Sequence, residues 1–245
     1  MDMTNLIHGD MPGDKIAIEP EHIDKAAKIY PVLRTMLPDG RKTVVCVCGG
    51  SGVGKSEIAS LLGTRLTEDG IKAYVMSGDN YPHRIPAEND AERERVYAEG
   101  GREALENYLG TPQEIDFDLV NRILADFKAG VSPIALKRMG RTKEELWFDE
   151  VDLSDTRVLI LEWTHGNSDF LREVDIPILL NSTPEETLAH RRARARDKGV
   201  DSPFTTMVLE IEQEKLKHQA HKAKIIVSKA GDLISWEEYQ RLMAP

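Results

Sequence analysis

The sequence lacks the features that mark secreted and membrane proteins. Only two cysteines occur among its 245 residues, so a small scaffold held together by disulfides is excluded. No apolar run approaches the roughly 20 residues that a bilayer-spanning helix needs. The first residues also do not combine a basic end with an apolar stretch, as secretory signals do. We therefore predict a cytoplasmic protein without a membrane partner.

An excess of basic residues is also lacking. The chain has 42 acidic and 32 basic residues, and its net charge is −10. Because nucleic acids attract clustered positive charge, this balance argues against a nucleic-acid partner, although it leaves room for a local basic pocket. Hydrophobic residues make up 40% and charged residues 30%, which is typical of a folded domain. The length predicts one large domain, or one domain with insertions.

The two cysteines, Cys46 and Cys48, lie in a short apolar run of mostly β-branched residues, 43–48. Residues two apart in a strand point to the same face. We predict that both are small buried hydrophobic residues rather than a disulfide or a metal pair. A wholly apolar run of this length is typical of a strand that is buried on both faces.

Predicted strands and helices alternate along the chain. Apolar residues recur at helical spacing from Glu21 to Leu37, which predicts one helix kinked at Pro31 or two short helices. Residues 1–19 are weakly patterned and are expected to be loose. Further strands are predicted at 71–77, 133–137, 157–162, 175–181 and 224–228. This alternation predicts a three-layer α/β fold with a mostly parallel central sheet.

A glycine-rich loop with the pattern G-x-x-x-x-G-K-[ST] follows the first buried strand and precedes an amphipathic helix. In such loops backbone N–H groups curl around a polyphosphate at the positive end of the helix. Lys55 would hold the β and γ phosphates, and the Ser56 hydroxyl would ligate Mg²⁺. The predicted nucleotide-binding residues are Gly49, Gly50, Ser51, Gly52, Val53, Gly54, Lys55 and Ser56.

The nucleotide is predicted to be ATP. A switch-type GTPase needs the guanine-reading pattern N-K-x-D after a later strand. The corresponding position holds residues 181–184, Asn-Ser-Thr-Pro, so guanine specificity is not supported. The sequence therefore predicts a P-loop NTPase fold with ATP and Mg²⁺ as cofactors.

Two of the predicted strands end in an acidic residue, Asp79 and Glu162. Ligands of open parallel sheets bind beyond the carboxyl ends of the strands. Asp79 could take the proton from an acceptor hydroxyl or hold the metal through water. Glu162 lies where a carboxylate orients a magnesium-bound water. We predict that both belong to the site.

A basic cluster occupies residues 190–199 of this otherwise acidic chain. Arg192 and Arg196 are four residues apart, so both lie on one face of a helix. Guanidinium groups match phosphate oxygens and stabilise transferring phosphoryl groups. We predict a helical lid whose arginines close over the triphosphate, whereas a helix end that simply favours cations is the structural alternative.

These motifs resemble the phosphoribulokinase/uridine kinase family of P-loop kinases. The resemblance rests on the loop 49–56, on SGDNY at 77–81, on LILE at 159–162 and on the segment 175–199, and it spans roughly Thr43 to Lys229. It implies that Asp79 is the catalytic base, that Tyr81 lines the acceptor pocket, and that Arg192 and Arg196 form the lid over ATP.

The chain departs from uridine kinases where those enzymes grip the nucleoside. Their tyrosine and aspartate after a proline are replaced by Ala135 and Leu136, and of the following histidine and arginine only Arg141 is left. Trp163 stands where a glycine usually follows the glutamate. These differences argue against uridine or cytidine as the acceptor. Several cations near the expected pocket suggest a small anionic metabolite with a hydroxyl group. The predicted substrate residues are Tyr81, His83, Arg84, Arg141, Trp163 and His165.

The resulting prediction is a kinase that acts on a small-molecule hydroxyl. A uridine or nucleoside kinase and an adenylylsulfate-type kinase remain alternatives, as does an ATP-dependent switch or chaperone with a protein partner. The sequence leaves open whether the chain forms a homo-oligomer. Four segments are assigned: an N-terminal helical extension, 1–42, a P-loop kinase domain, 43–245, an acceptor-side insertion, 82–115, and a lid, 188–205.

Overall fold

A computed structural model describes residues 6–194 and 202–243. The strands are β1 (Thr43–Gly49), β2 (Ala73–Ser77), β3 (Ile134–Met139), β4 (Leu146–Val151), β5 (Val158–Glu162), β6 (Ile176–Leu180), β7 (Ile225–Val227) and β8 (Leu233–Ile234). The helices are α1 (Pro20–Met36), α2 (Lys55–Glu68), α3 (Pro86–Tyr108), α4 (Phe117–Ala129), α5 (Leu188–Arg194), α6 (Pro203–Gln219) and α7 (Trp236–Leu242).

Six strands form the central sheet, in the order β2-β5-β1-β6-β7-β8. All neighbouring pairs are parallel except β7 and β8. Helices cover both faces of the sheet, so the predicted α/β fold with a mostly parallel sheet is confirmed. Every residue of β1 is buried, as the wholly apolar run predicted, and both cysteines are buried free thiols.

The strand predicted at 133–137 lies outside the central sheet. As β3 it pairs with β4 in a separate two-stranded antiparallel hairpin. Strand β4 was not predicted, because Leu146, Trp147 and Phe148 are consecutive exposed apolar residues and do not alternate with polar ones. The hairpin approaches the end of β2, where the Met139 N–H donates to the Asn80 side chain at 3.0 Å.

Helix α1 belongs to the same core as the sheet. Its buried residues Ile29 and Leu33 pack in one cluster with residues of α2, β1 and β5. The helix runs unbroken through Pro31, which lies on its exposed side, so the alternative of two short helices is wrong. The segment assigned as an N-terminal extension therefore packs as part of the α/β core.

Residues 6–18 are held in place rather than loose. The Ile7 N–H donates to Thr64 Oγ1 at 2.9 Å, and Asp10 accepts hydrogen bonds from the Ser77 N–H at 2.7 Å and from the Tyr74 hydroxyl at 3.0 Å. The expectation of a loose segment was wrong. Hydrogen bonds attach this segment to the rest of the chain, and such bonds leave no apolar periodicity in the sequence. No helix in the described part of the chain has the length and apolar character to cross a bilayer.

The burial of α1 gives a stability prediction. Replacing Leu33, which has no exposed surface, with alanine leaves a cavity between α1 and the sheet, and we expect the free energy of unfolding to fall by about 2–5 kcal/mol. Urea denaturation measures this change. Ile23→Ala, at a site that is 42% exposed on the same helix, is the matched control with an expected loss below about 1 kcal/mol. Equal small losses for both variants would contradict the packing of α1.

Candidate functional site

The loop between β1 and α2 has the backbone geometry that surrounds a phosphate group. Gly52 and Gly54 have φ of 78° and 92°, in the left-handed region that other residues rarely adopt. A side chain at residue 54 would also come within 2.8 Å of His22 Nε2 on α1. Since α2 begins at Lys55, its free N–H groups and its positive end face the loop.

Lys55 and Ser56 occupy the positions that the motif requires. The Lys55 ammonium donates to the Gly50 carbonyl at 3.0 Å, across the mouth of the loop. The Ser56 hydroxyl donates to Glu162 Oε2 at 3.3 Å. The loop is thus linked directly to the end of β5, the strand next to β1 in the sheet.

The two predicted acids lie at the same edge of the sheet. Glu162 is buried and accepts a hydrogen bond of 2.7 Å from the Ser77 hydroxyl, because Ser77 and Glu162 are register partners at the ends of β2 and β5. Asp79 follows β2 in the short 3-10 turn Gly78–Asn80 and is exposed. Burial, then the negative charge of Asp79, raises the pKa of Glu162 to about 8, whereas Lys55 opposes this shift.

The oxygen donors present fit Mg²⁺. The Ser56 hydroxyl and the Glu162 carboxylate are the hard oxygen ligands that this ion prefers, and they lie beside the loop. No cluster of three histidine, cysteine or acidic side chains that could enclose a metal exists in the described ranges. Phosphate oxygens and waters would have to supply the remaining ligands, as is usual for Mg²⁺.

The basic segment presents a different arginine from the one predicted. Arg191 is buried, and its guanidinium donates to the Pro184 carbonyl at 2.9 Å. Its side chain packs on the phosphate loop so closely that a methyl group at residue 52 would lie 2.7 Å from Arg191 Cγ. Arg191 Nε has no hydrogen-bond partner among the described residues, whereas Arg192 is exposed.

On α5 it is Arg191, the residue before the predicted Arg192, whose side chain packs on the phosphate loop. Arg196 and most of the segment 188–205 that follows α5 lie outside the described residues, so the lid assignment stays a prediction.

Two of the predicted substrate residues are buried in the core. Trp163 packs against the ring of Phe117, with centroids 5.4 Å apart, and lies under Gly78 so closely that a Cβ there would be 2.0 Å from the indole. Tyr81 has no exposed surface, and its hydroxyl has no hydrogen-bond partner in the described part of the chain. Instead of lining a pocket, both residues support the turn that carries Asp79.

Three other predicted substrate residues are spread over the surface. His83 is exposed, and its Nε2 lies 3.0 Å from the Pro112 carbonyl. Arg84 donates to the Tyr108 hydroxyl at 3.2 Å. Arg141 is exposed in the turn of the β3–β4 hairpin. These cations do not form the concentrated positive pocket that an anionic acceptor was expected to need.

His165 lies close to the acidic edge of the site. Its ring packs edge-on against Trp163, with centroids 5.5 Å apart, and a Cβ at Gly110 would lie 2.6 Å from its Cε1. Burial lowers the pKa of His165 to about 4, although the negative charge of Glu114 acts in the opposite direction. His165 is therefore a neutral imidazole at physiological pH.

Glu114 is a buried site residue that the sequence did not reveal. It is 1% exposed and accepts hydrogen bonds from Arg93 Nε at 2.6 Å, Asn89 Nδ2 at 2.9 Å and the Gly110 N–H at 2.7 Å. Burial raises its pKa, but Arg93 and these donors outweigh burial and leave the pKa below its usual range. Glu114 is therefore ionised, and it anchors α3 to the loop beside His165.

Glu212 on α6 is the second acidic residue that was missed. It is buried, and with Gln213 it lines a narrow cleft that also includes Gly50 and Ser51 of the phosphate loop. Burial raises the pKa of Glu212, and the charges of Arg93, Glu114, Lys55 and Asp79 all act on it. No signal in the sequence pointed to Glu212, because it is one of several glutamates on an amphipathic helix.

Comparisons with known proteins find similarity to kinases. The sequence model of the adenylylsulphate kinase family matches residues 41–98. The bifunctional α-galactosidase/sucrose kinase AgaSK of Mediterraneibacter gnavus is 48% identical over 238 residues, which cover 93% of this chain and 25% of that protein. The chain thus spans about a quarter of the length of this curated relative.

Solved structures share the fold at low sequence identity. A protein assigned as a fructose transport system kinase from Silicibacter sp. TM1040 superposes with a TM-score of 0.57 at 17% identity, over 80% of this chain and 94% of that one. Phosphoribulokinase from Rhodobacter spheroides gives a TM-score of 0.56 at 17% identity, over 77% and 70% of the two chains. The chain has the fold of the P-loop kinases, and the resemblance drawn from its motifs is confirmed at the level of the fold.

The environment of His165 gives a titration prediction. Because burial disfavours the charged imidazolium, we expect its ring to stay neutral from pH 7 down to about pH 5. The chain has seven histidines, so histidine-selective NMR can follow them individually, and His165→Gln assigns the signal. A midpoint of the His165 signal near 6.5, the value of an unperturbed imidazole, would show that its ring is solvated.

Proposed function

We propose that this chain is an ATP-dependent kinase that transfers the γ-phosphate of ATP to a hydroxyl group of a small neutral carbohydrate. The observation that carries the proposal is the convergence of the phosphate loop, Glu162 and the exposed Asp79 at the ends of three adjacent parallel strands. A loop that binds phosphates, next to a carboxylate that is open to solvent, suits phosphoryl transfer to an alcohol.

Each group at the donor side has a role in this proposal. The loop N–H groups and Lys55 bind the β and γ phosphates. Ser56 and Glu162 would hold Mg²⁺, which would supply charge neutralisation when bound. The free Nε of Arg191 points to a further donor for phosphate oxygens.

Asp79 is the proposed general base. It takes the proton of the acceptor hydroxyl as the acceptor oxygen forms a bond to the γ phosphorus and the bond from that phosphorus to the β,γ-bridging oxygen breaks. ADP and the phosphorylated acceptor are the products. His165 is neutral, so it can hydrogen-bond to the acceptor without adding positive charge.

The charge of the acceptor side favours a neutral substrate. The cation Arg138 is paired with Asp10 at 2.8 Å, and Arg93 is paired with Glu114 at 2.6 Å. Glu212 adds an acidic group close to Arg93 and Asp79. Carboxylates accept hydrogen bonds from hydroxyl groups, whereas they repel a phosphate or carboxylate substrate. These pairings argue against the anionic metabolite that the sequence suggested.

The curated relative supports the same substrate class. Its name includes a sucrose kinase activity, and sucrose is a neutral sugar with many hydroxyl groups. The adenylylsulphate kinase match includes the phosphate loop and Asp79 but ends at residue 98, before Glu114, His165 and Glu212, so it covers only part of the acceptor side. We therefore place sucrose first among the acceptors to be tested.

An acceptor panel tests the proposal. ADP release with Mg²⁺ and ATP would be measured with sucrose, glucose, fructose, D-glycerate, uridine and adenylylsulfate, and we expect sucrose to give the highest kcat/KM. Preference for glycerate or adenylylsulfate would restore an anionic acceptor, and preference for uridine a nucleoside kinase. Slow hydrolysis that no acceptor accelerates would instead favour the ATP-dependent switch.

Asp79→Asn is the matched variant for this assay. Loss of the base should lower kcat by about 10²–10⁴-fold, while the Kd for ATP measured by calorimetry stays within about twofold. Asp118→Asn, at the exposed first turn of α4, is the control for the loss of one negative charge. Full turnover by the Asp79→Asn variant would remove the proposed base.

The two adjacent arginines give a separate prediction. Because Arg191 packs on Gly52 and Arg192 points to solvent, Arg191→Ala should lower kcat/KM for ATP by about 10²-fold, a typical cost for a lost transition-state donor. Arg192→Ala should cost less than about fivefold. Steady-state kinetics on both variants shows which of the two arginines acts on ATP. A larger loss for Arg192→Ala would support the assignment made from the sequence.

A further inference from the structure

Asp10 lies directly behind the turn that carries Asp79. Its side chain is 7% exposed. Asp10 Oδ1 accepts hydrogen bonds from the Ser77 N–H at 2.7 Å and from Asn80 Nδ2 at 3.2 Å. One carboxylate oxygen thus holds both ends of the segment Ser77–Asn80, which contains Asp79.

The second oxygen of Asp10 is held just as firmly. Oδ2 accepts from the Tyr74 hydroxyl at 3.0 Å and from Arg138 Nη1 at 2.8 Å. Arg138 belongs to β3 of the hairpin and also donates to the Tyr74 hydroxyl at 3.0 Å. The carboxylate therefore joins the N-terminal segment, strand β2 and the hairpin at a single buried point.

The turn also receives support from its other side. Asn80 accepts the Met139 N–H at 3.0 Å, and Ser77 donates through its hydroxyl to Glu162 at 2.7 Å. Asp10 and Glu162 thus bind opposite sides of the same residue, one at the N–H of Ser77 and one at its hydroxyl. A shift of Asp10 would therefore move both Asp79 and the Ser77 hydroxyl that binds Glu162.

We propose that Asp10 is a positioning residue for phosphoryl transfer. By holding the Ser77–Asn80 turn, Asp10 sets the position and orientation of the Asp79 side chain. The proposal rests on the proposed function. It assigns a role in the reaction to the N-terminal segment, which lies outside the region where the motifs resemble other kinases. Because Asp10 does not touch the phosphate loop, it should act on turnover and not on ATP affinity.

The test is a double-mutant cycle between Asp10 and Asp79. Asp10→Asn should lower kcat with sucrose by about 10–10²-fold, the order expected when a reacting group is displaced by about 1 Å. The Kd for ATP should stay within about twofold. In the Asp79→Asn background the same change should lower the residual kcat by less than about threefold, since there is no base left to misplace.

A purely structural role would give a different pattern. It would lower kcat by the same factor in both backgrounds, or change the Kd for ATP together with kcat, and either result would overturn the proposal. Hydrogen exchange adds a readout that does not depend on turnover: the amides of residues 77–80 should exchange at least about tenfold faster in Asp10→Asn. Unchanged exchange would also overturn it.

Controls separate the proposal from the proposed function and from misfolding. Asp24→Asn, which removes one exposed carboxylate from α1, should behave as wild type. If Asp10→Asn does not fold because the buried Arg138 then keeps only the half-exposed Asp149 as an acidic partner, the variant with both Asp10→Asn and Arg138→Met removes that buried charge and is measured instead. A wild-type chain without turnover on any acceptor refutes the proposed function, whereas an active wild type with an equally active Asp10→Asn variant refutes only this inference.

Discussion

The carboxylate of Glu162 accepts hydrogen bonds from Ser56, in the first turn of α2, and from Ser77, at the end of β2. These two serines belong to the two halves of the site, the phosphate loop and the turn that carries Asp79. Glu162 can reach both because β5 lies between β1 and β2 in the sheet. The distance between the proposed donor and acceptor sides is therefore fixed by strand spacing, which is one of the least deformable quantities in a protein.

Several acidic residues lie close together at this edge of the sheet. The negative charge of Asp79 raises the pKa of both Glu162 and Glu212, whereas the positive charge of Lys55 lowers both. Strongly displaced pKa values cluster at functional sites, so the charges around Glu162 point to the same edge of the sheet as the phosphate loop does.

The sequence predicted the parts of the site that depend on local pattern. The phosphate loop, the two acids at strand ends and the parallel sheet follow from glycine spacing and apolar runs, which short stretches of chain determine. Glu114, Glu212 and Asp10 could not be found in this way, because each becomes important through contacts with segments far away in the sequence. Arg191 was not singled out for a related reason: helical spacing gives the face that residues share but not the direction in which that face points.

Trp163 and Tyr81 illustrate the same limit. Both follow the acids at strand ends, so their position in the sequence suggests a pocket, but the large rings fill the space beneath the turn instead. A bulky residue that is adjacent in sequence to a site residue can pack beneath it in the core instead of lining the pocket around it.

The attachment of residues 6–18 to β2 and to the hairpin has an implication for modular evolution. A relative four times as long, with a second activity in its name, shows that a unit of this type can exist inside a larger polypeptide. The part of the chain that carries the kinase motifs would be too short to fold in the same way by itself, since Asp10, which binds the turn after β2, lies more than thirty residues before the first strand. Transfer of such a unit between genes would have to include residues 6–18.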